Sequence, residues 1–133
     1  MADIKLTLVV ACALVDVDKR VLIAQRPEGK ALAGLWEFPG GKVEPDESLT
    51  AALEREIREE LGVTILVGDE FFSVVHDYTP KSVRLHFFNC SIIDGEPHPL
   101  EVADMRWVRP EELGQFEFPP ADADLIAILR RGS

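Results

Sequence analysis

The chain has 133 residues, of which 47% are hydrophobic and 29% charged, and its formal net charge at pH 7 is -10. These values predict one globular domain over residues 1–133, with no low-complexity segment. An acidic chain lacks the basic surface that binds a nucleic-acid backbone, so no nucleic-acid polymer is expected as a partner. No stretch is long enough to span a membrane, and Cys12 and Cys90 are interpreted as buried free thiols, so we expect a cytoplasmic protein.

Two β-rich runs, residues 5–15 and 20–25, open the chain and are joined by a polar turn over 16–19. This pattern predicts a hairpin. The nearly continuous apolar character of the first run indicates a strand covered on both faces. Composition then predicts three segments: a loop over 26–34, a short strand over 35–38 ending at Pro39-Gly40-Gly41, and a second loop over 42–47.

A helix is predicted to begin after Ser48, a plausible N-cap, and to end at Gly62, a plausible C-cap. Leu49, Leu53, Ile57 and Leu61 recur every fourth residue, which gives the helix one buried stripe. The rest of the chain predicts strands over 64–67, 71–75, 83–93 and 105–108, a short helical turn over 110–113, and a second amphipathic helix from Pro119. Strands on both sides of a helix favour an α/β fold in which a mixed sheet is packed between helices.

Three carboxylates on the first predicted helix point to a metal. Glu56, Glu59 and Glu60 stand at i, i+3 and i+4, so their side chains leave the same patch of surface. Clustered carboxylates bind hard divalent cations such as Mg²⁺ or Mn²⁺, and Mg²⁺ often shares its ligands with substrate phosphates. A metal between them would also let an acidic protein hold a polyphosphate. Glutamate-rich helices are usually only solvated surfaces, so the surrounding sequence has to decide.

The spacing of the surrounding residues favours the metal site over a solvated surface. Gly41 is followed after five residues by Glu47 and, after seven more, by Arg55-Glu56-Ile57-Arg58-Glu59-Glu60-Leu61-Gly62-Val63. Every fixed position of the Nudix box, G-x5-E-x7-R-E-U-x-E-E-x-G-U with U apolar, is met. The chain therefore resembles a Nudix hydrolase. Residues 35–44, Gln25-Arg26, Trp107 and residues 118–122 are similar to the MutT branch, which contains hydrolases of oxidised purine nucleoside triphosphates and the similar CTP pyrophosphohydrolases.

The resemblance implies a Nudix α/β/α sandwich that cleaves a nucleoside triphosphate to the monophosphate and pyrophosphate. It implies metal binding by Glu56, Glu59, Glu60 and the Gly40 carbonyl, with Glu56 also orienting or deprotonating the attacking water. Arg55 would steer Glu56, and Glu47 would anchor the preceding loop to the helix. Glu101 matches a further metal-binding carboxylate, although Glu96 and Asp104 are alternatives in the same loop.

Substrate contacts are predicted at basic and aromatic positions. Arg26, Lys42 and Lys81 are candidates for phosphate or sugar binding, since an acidic cleft must still attract a polyanion. Each of them alone is more often a solvated cation. Phe38 is a candidate stacking face for the base, with Phe87 and Trp107 as alternatives, although buried aromatic residues are core residues by default.

Asp122 is the candidate for reading the base. Purine-specific MutT enzymes often carry Asn at the matching position, which can both donate and accept, whereas an ionised Asp can only accept. Asp122 can accept from the N7-H of 8-oxoguanine, but faces O6 unfavourably unless protonated, and it can equally accept from the N4 amine of cytosine. The structural alternative is an N-cap of the last helix.

These observations predict that the protein is a Mg²⁺-dependent nucleoside triphosphate pyrophosphohydrolase that sanitises the nucleotide pool, with 8-oxo-dGTP as the favoured substrate. CTP, dCTP or a modified dCTP is the alternative substrate. The alternative from another class is a non-catalytic Nudix module that binds a nucleotide or a protein. The expected partner is a small-molecule nucleoside triphosphate, and the chain is expected to be a monomer or a homodimer.

Overall fold

The computed structural model describes residues 5–78 and 81–131. Within these ranges lie seven strands, two α-helices and two 3₁₀ helices. The strands are β1 Lys5–Leu14, β2 Val21–Gln25, β3 Trp36–Glu37, β4 Gly40–Lys42, β5 Thr64–Tyr78, β6 Lys81–Asp94 and β7 Asp104–Val108. The helices are α1 Leu49–Leu61 and α2 Ala123–Arg131, with 3₁₀ helices at Pro110–Gln115 and Pro120–Asp122.

The strands form two sheets. The larger sheet has the order β4-β1-β6-β5, in which β1 and β6 run parallel and the other neighbours antiparallel. The smaller sheet, β3-β2-β7, is antiparallel throughout. The predicted α/β architecture with a mixed sheet and helices is therefore confirmed, while the separate smaller sheet was not predicted.

Strand β1 is buried on both faces, as its apolar run predicts. Val10, Cys12 and Leu14 join the core beneath α1, whereas Ala11, on the opposite face, joins a second core beneath α2. The first core gathers Leu53, Ile57 and Leu61 from α1 with Leu22, Ala24, Phe88 and Cys90 from the sheets. The second core gathers Trp36, Phe38, Phe87, Leu113 and Leu125. Cys12 and Cys90 are free and buried, as predicted.

The predicted hairpin of β1 and β2 is wrong beyond its turn. The Asp16 amide donates to the Arg20 carbonyl, and Val15 forms a single antiparallel bridge with Val21. The two strands then enter different sheets, because both edges of β1 are already occupied by β4 and β6. A hairpin signal in the sequence describes the turn and carries no information about partners that arrive later in the chain.

Two other predictions of strands need correction. Residues 64–67 and 71–75, predicted as separate strands, belong to the single strand β5, whose pairing with β6 shifts register between Val67 and Phe72. Residues 40–42, predicted as the end of a short strand and the start of a loop, form β4 and pair with Val9–Ala11 of β1. Glycine has low strand propensity, yet a Cβ at Gly40 would collide with the β1 backbone, so this close pairing requires it.

Helix α1 is found where it was predicted, and the second helix is present but begins later than predicted. The Ser48 hydroxyl accepts a hydrogen bond from the Ala51 amide at 3.1 Å, and Gly62 ends α1 with φ of 73°, a conformation that favours glycine. Near the C-terminus a 3₁₀ helix occupies Pro120–Asp122, so α2 itself begins at Ala123 rather than next to Pro119. No α-helix in the described ranges is long and apolar enough to cross a membrane.

We expect Ser48→Ala to lower the free energy of unfolding by about 1 kcal/mol, because it leaves the Ala51 amide without its capping acceptor. Urea denaturation followed by circular dichroism measures this change. Thr50→Ala is the matched control, since Thr50 is exposed and the hydrogen bond of its hydroxyl within residues 5–78 and 81–131 is the one with Ser48, at 3.4 Å. Equal midpoints for the two variants would contradict the capping role.

Candidate active site

A cavity of about 580 Å³ opens between the two sheets, α1 and the segment before α2. We call the part formed by α1 and the loop before β7 the acidic end, because Glu56, Glu60 and Glu101 line it and the charge of Glu101 raises the pKa of both other carboxyl groups. The other end is largely apolar and is formed by β6 and the segment before α2. The ionisable and aromatic side chains in the lining are Arg26, Lys30, Glu37, Phe38, Lys42, Glu56, Glu60, Phe87, Glu101 and Asp122.

Arg55 holds the acidic end together. Its Nε and Nη2 donate to the two carboxylate oxygens of Glu47 at 2.8 and 2.9 Å. Its Nη1 donates to Glu56 at 2.8 Å and to Glu59 at 3.4 Å, and Nη2 also reaches the Lys42 carbonyl at 3.1 Å. The hydrogen bond from Arg55 and that from the Glu44 amide lower the pKa of Glu47 to about 2. The predicted positioning by Arg55 and anchoring by Glu47 thus have matching contacts.

Glu56 is fixed between Arg55 and the glycine strand. A Cβ at Gly41 would collide with both carboxylate oxygens of Glu56, so any other residue there would displace this carboxylate from its position beside Arg55. Burial raises the pKa of Glu56, while Arg55 opposes the rise through a hydrogen bond and its charge. Gly40 and Gly41 therefore have separate roles: the first permits close pairing with β1, and the second makes space for a carboxylate.

Glu60 is buried with one carboxylate oxygen unpartnered among the described residues. Only 7% of the residue is exposed, and its Oε2 has no hydrogen-bond partner among the described residues. Burial raises the pKa of Glu60 to about 9, and the charges of Glu37, Glu56 and Glu101 contribute to the rise, whereas the nearby Gly40 amide opposes it. An ionised carboxylate in such a position requires a positive charge beside it.

Glu101 reaches the same end of the cavity because its loop is tied to the end of α1. The amides of Leu100 and Glu101 both donate to the Glu60 carbonyl, at 3.0 and 3.3 Å. Glu101 lines the cavity. The two alternatives in this loop do not line it: Glu96 is exposed, and Asp104 pairs with Arg106 and accepts from the Met105 amide.

The donor set fits a divalent cation. Carboxylates from Glu56, Glu60 and Glu101 line one end of the cavity, and an unpaired buried oxygen of Glu60 needs a positive partner. In residues 5–78 and 81–131 no three such side chains are already gathered closely enough to hold a metal ion. Glu56 and Glu59 instead turn toward Arg55, and Glu59 is the more exposed of the two.

The predicted phosphate-binding residues are only partly brought together. Lys42 lines the cavity and is exposed. Arg26 also lines the cavity, but its guanidinium is bonded within the protein, to Glu37 and to the Ala31 carbonyl, each at 2.6 Å. Lys81 is exposed at the start of β6 and does not line the cavity, so the interpretation of Lys81 as a substrate contact is not supported. Lys30, a lining cation in the loop, was not singled out from the sequence.

The apolar end of the cavity contains the residues predicted to face the base. Phe38 and Phe87 are buried in the second core and also line the cavity. Phe38 already stacks on Phe118, with ring centroids 5.2 Å apart, so one of its faces is occupied. Trp107 packs against the first core and does not line the cavity.

Asp122 lines this end and is not a helix cap, because its carboxylate accepts no hydrogen bond from the described part of the chain. Burial, followed by the charge of Glu37, raises the pKa of Asp122 to about 6. A carboxyl group with this pKa is mostly ionised at neutral pH and becomes a hydrogen-bond donor in mildly acidic solution.

Comparison with known proteins agrees with this geometry. The model of the NUDIX domain family matches residues 10–127. The chain is 42% identical to the CTP pyrophosphohydrolase of Escherichia coli K12 over 88% of this chain and 87% of that protein. It is 34% identical to the 8-oxo-dGTP diphosphatase of Buchnera aphidicola from Acyrthosiphon pisum, over 86% and 90% of the two chains. The crystal structure of a MutT protein from Methanosarcina mazei Go1 superimposes with a TM-score of 0.86 at 29% identity, covering 99% of this chain and 98% of that one.

The chain therefore belongs to the Nudix family. Within the family its relatives are MutT-like, and it is a hydrolase that acts on acid anhydrides in phosphorus-containing compounds.

We expect Glu60→Gln to stabilise the protein when divalent cations are absent. The pKa of Glu60 rises from 4.5 to about 9 on folding, so between these values the folded state keeps a proton that the unfolded state has lost. The contribution of Glu60 is fully present below pH 4.5 and is lost progressively as the pH rises toward 9, on the order of 3 kcal/mol by pH 7. Glutamine does not titrate, so the unfolding free energy of the variant falls less steeply over this range.

Thermal unfolding in EDTA and in magnesium chloride, at pH 5 and pH 7.5, measures both parts of this effect. The wild type should gain stability from magnesium, whereas Glu60→Gln should gain little. Glu54→Gln is the matched control, because Glu54 lies on α1 but does not line the cavity. An equal response of all three proteins to magnesium would rule out cation binding at Glu60.

Proposed function

We propose that the protein is a Mg²⁺-dependent nucleoside triphosphate pyrophosphohydrolase, which converts a nucleoside triphosphate and water to the monophosphate and pyrophosphate. The observation that carries the proposal is the buried, unpartnered Oε2 of Glu60 at the acidic end of a cavity that Asp122 also lines. One end is suited to a metal and phosphates, and the other to a base. Relatives named as CTP pyrophosphohydrolase and 8-oxo-dGTP diphosphatase support this assignment.

Magnesium would be held by Glu56, Glu59, Glu60, Glu101 and the Gly40 carbonyl, with Mn²⁺ as a substitute. Of these, Gly40, Glu56, Glu60 and Glu101 line the cavity, while Glu59 does not line it and contacts Arg55 at 3.4 Å. When bound, the metal neutralises charge on the phosphate oxygens. A hard cation at these oxygen donors also removes the unfavourable interaction among the carboxylates.

The residues of the chain then perform the proton chemistry. Glu56 orients the attacking water and accepts a proton from it, and Arg55 keeps the Glu56 carboxylate in place. Glu47 fixes Arg55 from the opposite side through two hydrogen bonds. Lys42, exposed beside the glycine strand, is placed to attract the triphosphate.

The favoured substrate is 8-oxo-dGTP, whose hydrolysis would sanitise the nucleotide pool for DNA replication. A protonated Asp122 can donate to O6, and an ionised one can accept from the N7-H. Because the pKa of Asp122 is about 6, protonation at pH 7 requires only about 1.4 kcal/mol.

CTP or dCTP is the second candidate. The ionised form of Asp122, which predominates at neutral pH, accepts from the N4 amine of cytosine without protonation. The relative named CTP pyrophosphohydrolase supports this candidate. For either base we propose action in the cytoplasm on a free nucleotide, by a monomer or a homodimer.

Glu56→Gln should lower kcat by roughly 10²- to 10⁴-fold, since glutamine cannot accept the proton from water. Pyrophosphate release from 8-oxo-dGTP and dCTP in the presence of Mg²⁺ measures the effect, and circular dichroism checks that the fold is retained. Glu54→Gln serves as the control on the same helix. A wild type that releases no pyrophosphate from any nucleoside triphosphate would instead support the non-catalytic binding module.

Asp122 should make base preference depend on pH. We expect the ratio of kcat/KM for 8-oxo-dGTP to that for dCTP to rise roughly tenfold as the pH falls from 7.5 to 5.5, because Asp122 gains a proton through its pKa of about 6. Asp122→Asn should shift the ratio toward 8-oxo-dGTP and abolish its pH dependence, since an amide both donates and accepts at every pH. An unchanged ratio in the variant would exclude Asp122 as the residue that reads the base.

A further inference from the structure

Lys30 is a cation of the cavity lining to which neither the sequence motif nor the proposed reaction assigns a role. Three cations line the cavity, and one of them, Arg26, is already paired with Glu37 at 2.6 Å. The other two, Lys30 and Lys42, form no salt bridge within residues 5–78 and 81–131. Their ammonium groups are therefore available to an anionic ligand.

The two free ammonium groups reach the cavity from different sheets. Lys42 ends β4 of the larger sheet, whereas Lys30 lies in the loop that joins β2 and β3 of the smaller sheet. Both side chains are exposed and both line the cavity. Because the cavity opens between the sheets, Lys30 supplies a positive charge that Lys42 does not duplicate.

The main chain around Lys30 is held in place although its side chain is exposed. The Lys30 amide donates to the Pro27 carbonyl at 3.4 Å and closes a turn over 27–30. On the other side of Lys30, the Ala31 carbonyl accepts a hydrogen bond from Arg26 Nε at 2.6 Å. A ligand that binds the ammonium group thus has to order one side chain rather than a whole loop, which lowers the entropic cost of the contact.

The position of Lys30 along the cavity follows from its closeness to Glu37. Burial raises the pKa of Glu37, and the charges of Arg26 and then of Lys30 oppose the rise, so the Lys30 ammonium lies near this carboxylate. After burial, the charge of Glu37 contributes to the raised pKa of Glu60 at the acidic end and of Asp122 at the apolar end. Glu37, and Lys30 beside it, therefore lie at the middle of the cavity.

A nucleotide with its outer phosphates at the acidic end and its base beside Asp122 places two groups at the middle of the cavity, the sugar and the phosphate attached to it. Only the phosphate is charged, and an ammonium group is a compact cationic partner for phosphate oxygens. We infer that Lys30 is a further specificity-determining residue, which binds the phosphate attached to the sugar. The inference rests on the proposed function, because it assumes a nucleoside triphosphate in the cavity.

The test uses three competitive inhibitors that contain different parts of the nucleotide. 8-Oxo-deoxyguanosine has no phosphate, 8-oxo-dGMP has the phosphate attached to the sugar, and pyrophosphate represents the outer phosphates alone. Their inhibition constants are measured against hydrolysis of 8-oxo-dGTP with Mg²⁺, and the cytosine series is measured in the same way with dCTP. Lys30→Met removes the charge and should raise the inhibition constant of 8-oxo-dGMP about fivefold to tenfold, while leaving those of the nucleoside and of pyrophosphate unchanged.

Two further variants separate the charge of Lys30 from other effects of substitution. Lys30→Arg keeps the charge and should retain most of the affinity for 8-oxo-dGMP, whereas Lys30→Glu should weaken it more than Lys30→Met does. Lys19→Met is the matched control, because Lys19 is also an exposed lysine in a connecting segment but does not line the cavity. It should change none of the three inhibition constants, and circular dichroism checks that every variant keeps the fold.

The inference is overturned if Lys30→Met binds 8-oxo-dGMP as tightly as the wild type does. It is also overturned if the variant weakens the nucleoside by the same factor, which would mean that Lys30 acts on the sugar or the base, or if it weakens pyrophosphate alone, which would place Lys30 beside the outer phosphates. Failure of the proposed function has a different signature, since the wild type would then release no pyrophosphate from any nucleoside triphosphate.

Discussion

The geometry of the acidic end depends on the Arg55 guanidinium. Its donors contact the Glu47 and Glu56 carboxylates and the Lys42 carbonyl, and thereby join the loop after β4, the strand itself and α1. A planar group with five donors in a fixed arrangement can satisfy several acceptors at once, which lysine cannot do. Carboxylates that would otherwise repel one another are therefore held at defined positions, and Glu47, whose pKa is about 2, stays ionised throughout.

The same end shows a conflict between stability and function. Arg55 compensates Glu47 and part of Glu56, whereas Glu60 stays buried with an oxygen that no described group satisfies. A core position of this kind would be more stable with an apolar residue. Retaining a carboxylate there makes sense when the folded protein has a cationic ligand, because binding then recovers the unfavourable energy of burial. The unsatisfied group is thus informative about what the cavity is built to hold.

Local signals in the sequence predicted most of the helical structure and the acidic end of the site. Ser48 and Gly62 mark the ends of α1 through contacts with their own neighbours in the chain, and spacing places the glutamates on one face. Long-range features were missed. The glycine strand β4 exists because β1 lies against it, and the partners of β1 come from distant segments. Glu37 could have been noticed as a charge within an apolar strand, Trp36-Glu37-Phe38, whereas its closeness to Asp122 arises only on folding.

The attachment of the loop that carries Glu101 has a consequence for how sequence change is tolerated. The loop is held by main-chain amides at positions 98, 100 and 101, which donate to carbonyls at the end of α1. Such bonds do not depend on side-chain identity, except that proline has no amide hydrogen. The exposed side chains of the loop, including that of Glu101, can therefore vary without loss of these bonds, whereas Val102 is fixed by its place in the first core. The main-chain bonds to the end of α1 fix where this carboxylate lies, and a change of the single codon for position 101 is enough to alter its chemistry.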